Sequence, residues 1–406
     1  MAKDDDRRYA ALEITSKSVR LVYGYCQDGK VYVLHALETN VNALDGGIVI
    51  EQETLTAAIK GVINAANETL NIRIKDVILA LPPMGLEYRR ESSSTTTIGV
   101  DNVIVQIDVN NAISQLKKYK FNSGLRIVDV VPYQYVLDNK AFSPEAPIGK
   151  TSQTLTVHAS IFALEEGLVS GYVRAVENAG LFIRQLVVSP YASSLYMSTE
   201  EEIPGSYYLL NFGNDLTTLT QISQNTLIYQ NACFKFGSER ITQCLSERFS
   251  LTLKEAKMLK EKYGIDHSPS FRVNIYKGLT MDDIANAITD ALEPLITAIK
   301  KQISSWSSAD HRFLPIVITG GGSKLYGLKT LLERKLELQV VDFTPYSFGA
   351  RDKSYQNCLG LIKYAGTHMT SDETDELSST VIQRVNVKPN TKKNTNVVNY
   401  NFDDEL

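Results

Sequence analysis

Three short polar turns in this sequence carry residue types that bind phosphate groups. In the first two, a carboxylate or amide at the end of an apolar run can hold a metal-bound water, while backbone N–H groups and hydroxyls wrap phosphate oxygens. A polar turn of this kind is more often a solvated hairpin, so neither turn alone indicates a phosphate site, and the two must be considered together. The candidates are Glu13, Ser16 and Ser18 in the first turn, and Asn211, Gly213, Asn214, Asp215 and Thr217 in the second.

The third turn is rich in glycine and directly follows an apolar run over residues 313–319. Glycine lets a base or a phosphate approach the backbone without meeting a side chain, and the N-terminus of the helix predicted over residues 325–338 favours an anion. A triple glycine between a strand and a helix also fits a plain packed turn, and this alternative stays open. The candidates here are Gly320, Gly321, Gly322 and Ser323.

The first two turns lie in similar surroundings. Residues 9–19 can be overlaid on residues 207–217, because each stretch has an apolar strand, an acidic or amide residue, one apolar residue, a tight polar turn and a second strand. Two similar halves that face each other would form a nucleotide cleft. We therefore expect residues near 13, 213 and 321 to meet at the floor of one cleft.

Alternating strand and helix patterns predict an α/β protein around these turns. Asp28-Gly29 between two strand patterns predicts a hairpin, and a Ser/Thr run over 92–97 leads into a helical pattern over 110–120. Predicted strands are 9–14, 20–25, 31–36, 77–81, 127–131, 135–137, 155–161, 207–212, 216–222, 227–231 and 313–319. Predicted helices are 51–69, 110–120, 165–179 with Gly180 as C-cap, 239–249, 253–263, 281–306, 325–338 and 356–364.

Composition excludes several classes of protein. The chain has 406 residues, a net charge of −4 and a pI of about 5.9, which argues against a nucleic-acid-binding protein. No apolar stretch reaches the length of about 18 residues that a membrane helix needs, and the N-terminus does not resemble a signal peptide. The four cysteines form no CxxC pair, and the five histidines show no metal-binding spacing. We therefore expect reduced thiols in a cytoplasmic protein, with no metal site built on histidine.

In the order of its turns the chain resembles the actin/Hsp70/sugar-kinase superfamily, and within it the FtsA family of cell-division proteins. The resemblance covers roughly residues 9–365: residues 12–24 and 207–220 resemble the two phosphate motifs, and 318–323 with Leu325-Tyr326-Gly327-Leu328 resembles the adenosine motif. Two segments, 130–138 and 173–181, are similar to the distinctive inserted subdomain of FtsA and the helix returning from it. The resemblance implies an actin-like (ribonuclease H-like) two-lobed α/β fold with an inserted α+β subdomain.

On this basis the chain divides into eight segments. They are a lobe 1 core over 1–83, the inserted subdomain over 84–162, a return to the lobe 1 core over 163–203, a lobe 2 core over 204–250, a helical subdomain over 251–312, the remaining lobe 2 core with the adenosine motif over 313–345, a return to lobe 1 over 346–370, and a disordered tail over 371–406.

The resemblance also implies ATP with Mg²⁺ in the cleft, with Lys260 in the position of a lysine that contacts the adenosine. The chain departs from the family in three places: Thr15 replaces a glycine, Asn211 replaces a carboxylate that helps to hold magnesium, and Lys257 stands where a glutamate is usual. Loss of a carboxylate weakens the field that holds metal and water. We therefore expect weak or structural ATP binding, slow or absent hydrolysis, and no catalytic residue.

The FtsA resemblance further implies a scaffold that binds the C-terminal peptide of the tubulin-like FtsZ, forms filaments, contacts other division proteins and lies at the inner face of the cell membrane. The basic candidates for the acidic peptide are Lys300, Lys301 and Arg312, although a solvated face explains them equally well. The tail lacks the amphipathic pattern of a membrane helix, so membrane contact should be peripheral or indirect. Two alternatives stay open: a pilus-assembly adaptor of the PilM type, and a sugar or small-acid kinase.

Overall fold

The computed structural model describes residues 8–138, 142–143, 145–265, 274–306 and 313–369. Over these residues the chain forms two lobes, each built on a five-stranded sheet, and a four-stranded sheet inserted into the first lobe. Helices cover the sheets and fill the space between them. The predicted two-lobed α/β fold with an inserted α+β subdomain is confirmed.

The first sheet contains β1 (Tyr9–Ile14), β2 (Ser18–Gln27), β3 (Lys30–Asn40), β6 (Asp76–Leu81) and β11 (Phe182–Val188). Their order is β11-β6-β1-β2-β3, in which β1 pairs antiparallel with β2 and parallel with β6. Asp28 and Gly29 have φ angles of 50° and 72° and close the predicted hairpin between β2 and β3. A small ribbon of β4 (Leu44–Asp45) and β5 (Ile48–Val49) follows.

The second sheet contains β12 (Tyr207–Phe212), β13 (Thr217–Ser223), β14 (Leu227–Phe234), β17 (Ile316–Thr319) and β18 (Val340–Asp342). Their order is β14-β13-β12-β17-β18, and β12 pairs antiparallel with β13 and parallel with β17. When this order is read in reverse, β18-β17-β12-β13-β14, the strand order and directions match those of the first sheet, with β12 in the place of β1. The internal similarity seen in the sequence therefore extends to the topology of both lobes.

The inserted subdomain lies between β6 and α3 in the chain. Its strands are β7 (Glu87–Thr96), β8 (Leu125–Leu137), β9 (Phe142–Ser143) and β10 (Thr154–Glu165), in the order β7-β10-β8-β9, and its helix is α2 (Gln106–Leu116). Val109, Ala112 and Leu116 of α2 pack against Val157 and Ile161 in a hydrophobic core of their own. The subdomain thus has its own core beside the first lobe.

Four helices pack on the first sheet: α1 (Gln52–Leu70), α3 (Glu166–Asn178), α4 (Ser189–Met197) and α9 (Gln356–His368). Gly180 follows α3 with a φ of 83°, as predicted for its C-terminal end. Helices α4 and α9 lie against each other, and their Ala192 and Leu361 share one hydrophobic core with Tyr207 and Val317 of the second sheet. This helix pair joins the two lobes.

The second lobe carries α5 (Ser238–Phe249), α6 (Leu253–Tyr263), α7 (Met281–Trp306), α8 (Leu328–Leu336) and a ribbon of β15 (Asn274–Tyr276) and β16 (Leu279–Thr280). A capping box starts α6: Thr252 Oγ1 accepts a bond of 3.3 Å from the Glu255 backbone N–H, and Glu255 Oε2 accepts one of 2.8 Å from the Thr252 N–H. The apolar faces of these helices close the second core.

Some elements differ from the sequence predictions. Residues 92–96 of the Ser/Thr run lie within β7, and α2 begins at Gln106 instead of residue 110. The two strands predicted over 127–131 and 135–137 form one strand, β8, which continues through Pro132 at a shift in its register with β10. Strands β7, β11 and β18, the short strands β4, β5, β9, β15 and β16, and helix α4 were not predicted. The predicted disordered tail over 371–406 lies outside the described residues.

Candidate functional site

The three polar turns meet at one cavity of about 400 Å³ between the lobes. The cavity wall includes Glu13 and Gly321 from opposite lobes, so the predicted geometry of one shared cleft is present. Ten of the thirteen predicted nucleotide-contacting residues line it: Glu13, Ser16, Ser18, Asn211, Gly213, Asn214, Lys260, Gly320, Gly321 and Gly322.

The other three predicted residues, Asp215, Thr217 and Ser323, do not line the cavity. Thr217 is fully buried, and its hydroxyl donates a hydrogen bond of 2.6 Å to the Phe236 carbonyl. The Ser323 hydroxyl donates one of 2.8 Å to the Gly320 carbonyl and closes the glycine turn. The Asp215 carboxylate accepts a hydrogen bond from the Asn214 side chain. These residues shape the turns instead of facing the cavity, because their polar atoms are used within the protein.

The first two turns have the same hydrogen bond at the same place. The Thr15 N–H donates to the Ser18 carbonyl at 2.9 Å, and the Gly213 N–H donates to the Leu216 carbonyl at 3.0 Å. At the tip of the first turn, the backbone N–H groups of Ser16 and Lys17 form no hydrogen bond with any described residue. Such a turn offers two backbone donors to an anion, which is the arrangement that a phosphate group needs.

The glycine turn packs directly on the end of β12. A side chain at Gly320, which has a φ of +88°, would place its Cβ 2.6 Å from the Phe212 carbonyl oxygen, and one at Gly322 would lie 2.8 Å from the Phe212 ring. At Gly321 no atom lies within 4 Å of the same position. Two of the glycines therefore permit the close approach of the backbones, and the third keeps the cavity open.

The Glu13 carboxylate is engaged within the protein by two side chains. Its Oε1 accepts a hydrogen bond of 2.6 Å from Asn357 Nδ2, and its Oε2 lies 3.3 Å from Arg20 Nη1. Arg20 also contacts Glu38 at 3.0 Å. Burial lowers the pKa of the Arg20 guanidinium, but the two neighbouring carboxylates outweigh burial, so its pKa is raised. Arg20, Glu38 and Asn357 also line the cavity but were not among the predicted residues.

Lys260 lines the cavity but is also bound within the protein. Its ammonium donates hydrogen bonds of 2.8 Å to the Ser238 carbonyl and to the Thr242 hydroxyl, which ties α6 to the start of α5. Burial lowers the pKa of this ammonium. Lys257 on the same helix lies 3.8 Å from Glu261. The lysine predicted to contact adenosine is thus fixed in place by the helix packing beneath it.

The predicted partner residues lie elsewhere. Lys300 and Lys301 are exposed near the end of α7 and do not line the cavity, and Arg312 lies outside the described residues. Among the residues that the structure describes, no group of three or more His, Cys, Asp or Glu side chains could hold a metal ion. In the same part of the chain, no helix combines the length and hydrophobicity of a bilayer span.

Of the two expected ligands, ATP and Mg²⁺, the cavity therefore suits the nucleotide. The free backbone donors of the first turn, an open glycine turn and the side chains of Lys17 and Arg20 suit the phosphates of a nucleotide. Magnesium prefers free carboxylate oxygens, whereas Glu13 is held by an arginine and residue 211 is an amide. The donor set does not suit a magnesium ion held by the protein.

Two lobes with matching sheets around a shared cleft, and an α+β subdomain inserted in the first lobe, define an actin-like protein. A family model described as type IV pilus assembly protein PilM matches residues 131–356, more than half of the chain, and the chain belongs to this family. A second model, described as the SHS2 domain inserted in FTSA, matches residues 89–163. The chain is therefore related to FtsA as well as to PilM.

Individual relatives agree with this placement. The cell division protein FtsA of Bacillus subtilis is 20% identical over 378 residues, which cover 89% of this chain and 84% of the relative. The structure of a PilM-PilN type IV pilus biogenesis complex has a TM-score of 0.60 at 19% identity and covers 89% of this chain and 99% of its own. The structure of MreB5 of Spiroplasma citri bound to ADP has a TM-score of 0.50 at 11% identity, with coverages of 88% and 96%.

Proposed function

We propose that this chain is an actin-like scaffold of bacterial cell division, which binds the C-terminal peptide of FtsZ and holds ATP in its cleft. The observation that carries the nucleotide part is the meeting of three phosphate-type turns at one cavity. The similarity to FtsA over about nine-tenths of the chain supports the division part. The scaffold would work at the inner face of the cell membrane, with peripheral or indirect membrane contact, and would assemble into filaments with other division proteins.

The nucleotide in this proposal is a structural ligand that holds the lobes together. Its phosphates would lie on the turns at Ser16 and Asn214, and its base over Gly321, so that it touches both lobes. Hydrolysis would be slow or absent, because Glu13 is bound by Arg20 and Asn357 and is not free to orient a water. A ligand that binds the folded protein alone stabilises it by mass action.

The partner surface in this proposal is the exposed side of α7. Lys300 and Lys301 are neighbours near its end and carry positive charge on an exposed surface. An acidic peptide would be attracted to this surface, and charges at the rim of an interface act mainly on the association rate. The peptide would therefore bind with an affinity that falls with rising salt.

The test is fluorescence anisotropy with a labelled FtsZ C-terminal peptide and the full chain. We expect saturable binding, and we expect Lys300→Glu combined with Lys301→Glu to weaken it by about tenfold. Lys60→Glu is the matched control, since Lys60 is an exposed lysine on α1 in the other lobe. Absence of binding at peptide concentrations on the order of tens of micromolar would contradict the division role.

A second candidate is an adaptor of the PilM type, which keeps the fold and changes the partner. Family membership favours it, as does the likeness to a PilM that was solved in complex with PilN. The same binding assay with a PilN protein in place of the peptide separates the two roles. Binding to PilN together with no response to the FtsZ peptide would replace the division role by the pilus role.

A further inference from the structure

Glu13, Arg20 and Glu38 form a row of charges across three neighbouring strands. Arg20 lies opposite Glu13 in the β1–β2 pair and opposite Glu38 in the β2–β3 pair, so the three side chains share one face of the sheet. The guanidinium contacts both carboxylates, at 3.3 Å and 3.0 Å. Its side chain is only 14% exposed and lines the cavity. The Arg20 guanidinium therefore occupies both carboxylates, which a metal ion would need free as ligands.

The remaining carboxylates of the cavity wall do not replace them. Glu261 lies 3.8 Å from Lys257, and Glu239 lies near the Lys260 ammonium; both belong to the helices of the second lobe. A divalent ion beside Glu13 would also be repelled by the Arg20 guanidinium, and this repulsion is strong in a partly buried cleft.

Cationic groups are nevertheless available to an anion. The contacts of Arg20 use Nε, Nη1 and Nη2, three of the five N–H bonds that a guanidinium offers. Lys17 is exposed at the tip of the first turn and forms no ion pair with any described residue. Both groups stand next to the turn with two free backbone N–H donors. Arginine binds phosphate well because its donors form a rigid fork.

We infer that this cleft binds the phosphates of its nucleotide through Arg20 and Lys17 and without a divalent cation. The inference rests on the proposed nucleotide occupancy and adds how the phosphate charge is neutralised. Arg20 takes the place of the metal: it offsets the phosphate charge and, at the same time, keeps Glu13 and Glu38 from repelling the anion.

Isothermal titration of the full chain with ATP tests this, once in buffer with Mg²⁺ and once with excess EDTA. We expect the two dissociation constants to agree within about threefold. Binding that weakens by about tenfold or more in EDTA overturns the inference but leaves the nucleotide assignment in place. Absence of binding in both buffers overturns the nucleotide assignment, and the inference with it.

Two variants sharpen the test. Arg20→Ala should weaken ATP binding in EDTA by about tenfold and make it dependent on Mg²⁺, because Glu13 and Glu38 lose their cation. Since that variant leaves two partly buried carboxylates without a partner, its fold is checked by circular dichroism. Lys17→Ala keeps all internal contacts and should weaken binding in EDTA about threefold to tenfold, whereas Lys60→Ala should not. Unchanged binding of Lys17→Ala, and of a folded Arg20→Ala, in EDTA overturns the inference.

Discussion

At the scale of single residues, His368 is a half-buried base with aromatic neighbours. Its Nε2 lies 3.1 Å from the Tyr191 hydroxyl, and its ring lies 4.8 Å from the Tyr364 ring, measured between centroids. The Tyr364 hydroxyl in turn donates to Asp129 Oδ1 at 3.1 Å. Burial lowers the pKa of His368 from its ordinary 6.5 to about 4. The imidazole is therefore neutral in the folded protein at pH 7.

This burial makes the protein sensitive to mild acid. The folded pKa of about 4 lies below the unfolded value of 6.5, so the unfolded chain takes up the proton first, and stability is lost as the pH falls from 6.5 towards 4. Between pH 7 and pH 5, His368 should lower the free energy of unfolding by about 2 kcal/mol. Urea denaturation of the wild type and of His368→Phe at both pH values measures this. The phenylalanine variant should lose about 2 kcal/mol less, and equal losses would contradict the account.

The row of Glu13, Arg20 and Glu38 shows which contacts could be predicted from the sequence and which could not. The position of Glu13 at the end of β1, and its place in the cleft, could be predicted from the strand–turn–strand pattern. The contact between Arg20 and Glu38 could not, because the Asp28-Gly29 hairpin alone would set Arg20 opposite Leu37. A register shift between Tyr23 and Gly24 moves the pairing by one residue and brings Glu38 opposite Arg20. The composition of these strands does not indicate a bulge at this position.

At the scale of elements, the glycine turn needs a positive φ and a close approach to β12 at the same residue, and glycine meets both requirements. Gly320→Ala would put a Cβ at a φ of +88° and 2.6 Å from the Phe212 carbonyl oxygen, and should lower the free energy of unfolding by about 2 kcal/mol or more. Gly321→Ala meets no atom within 4 Å and should change it by less than about 1 kcal/mol. Urea denaturation of the two variants measures the difference, and similar values would show that the turn can move away from β12.

A bulkier side chain at residue 321 separates folding from binding within this prediction. Gly321→Leu should fold, because the space above Gly321 is open, but its side chain would fill part of the cavity. ATP affinity measured by titration should therefore fall while the unfolding midpoint in the absence of ligand stays near that of Gly321→Ala. Full affinity in this variant would move the nucleotide away from the glycine turn.

Elements with a clear periodic pattern were predicted well, and those without one were not. Helix α7 was predicted over its full range, Met281–Trp306, because it buries one face and exposes the other. Helix α4 was missed, since all nine of its residues, Ser189–Met197, are buried and so no polar face marks the period of a helix. Strand β18, with three residues, is too short to show alternation. In these missed elements, the packing around the segment determines the secondary structure, and the segment's own sequence does not show it.

At the scale of the whole molecule, the α4–α9 pair links the cleft to the joint between the lobes. Gly360 of α9 meets the backbone of α4 so closely that a Cβ there would lie 1.9 Å from the Ala192 carbonyl oxygen. Three residues earlier in α9, Asn357 accepts a hydrogen bond of 2.5 Å from Ser193 of α4 and donates one of 2.6 Å to Glu13 in the cleft. A displacement of α9 would therefore reach the cavity.

Gly360→Ala should thus disturb both stability and binding. The two helices must separate to admit the methyl group, and we expect the free energy of unfolding to fall by about 3 kcal/mol or more, together with weaker ATP binding because Asn357 is drawn away from Glu13. Gly61→Ala is the matched control: Gly61 lies in α1 with no atom within 4 Å of an added Cβ, so alanine should stabilise the helix by about 0.5–1 kcal/mol. Chemical denaturation and ATP titration of both variants decide the matter. If Gly360→Ala lowered stability but left ATP affinity intact, the helix pair would join the lobes without controlling the cleft between them.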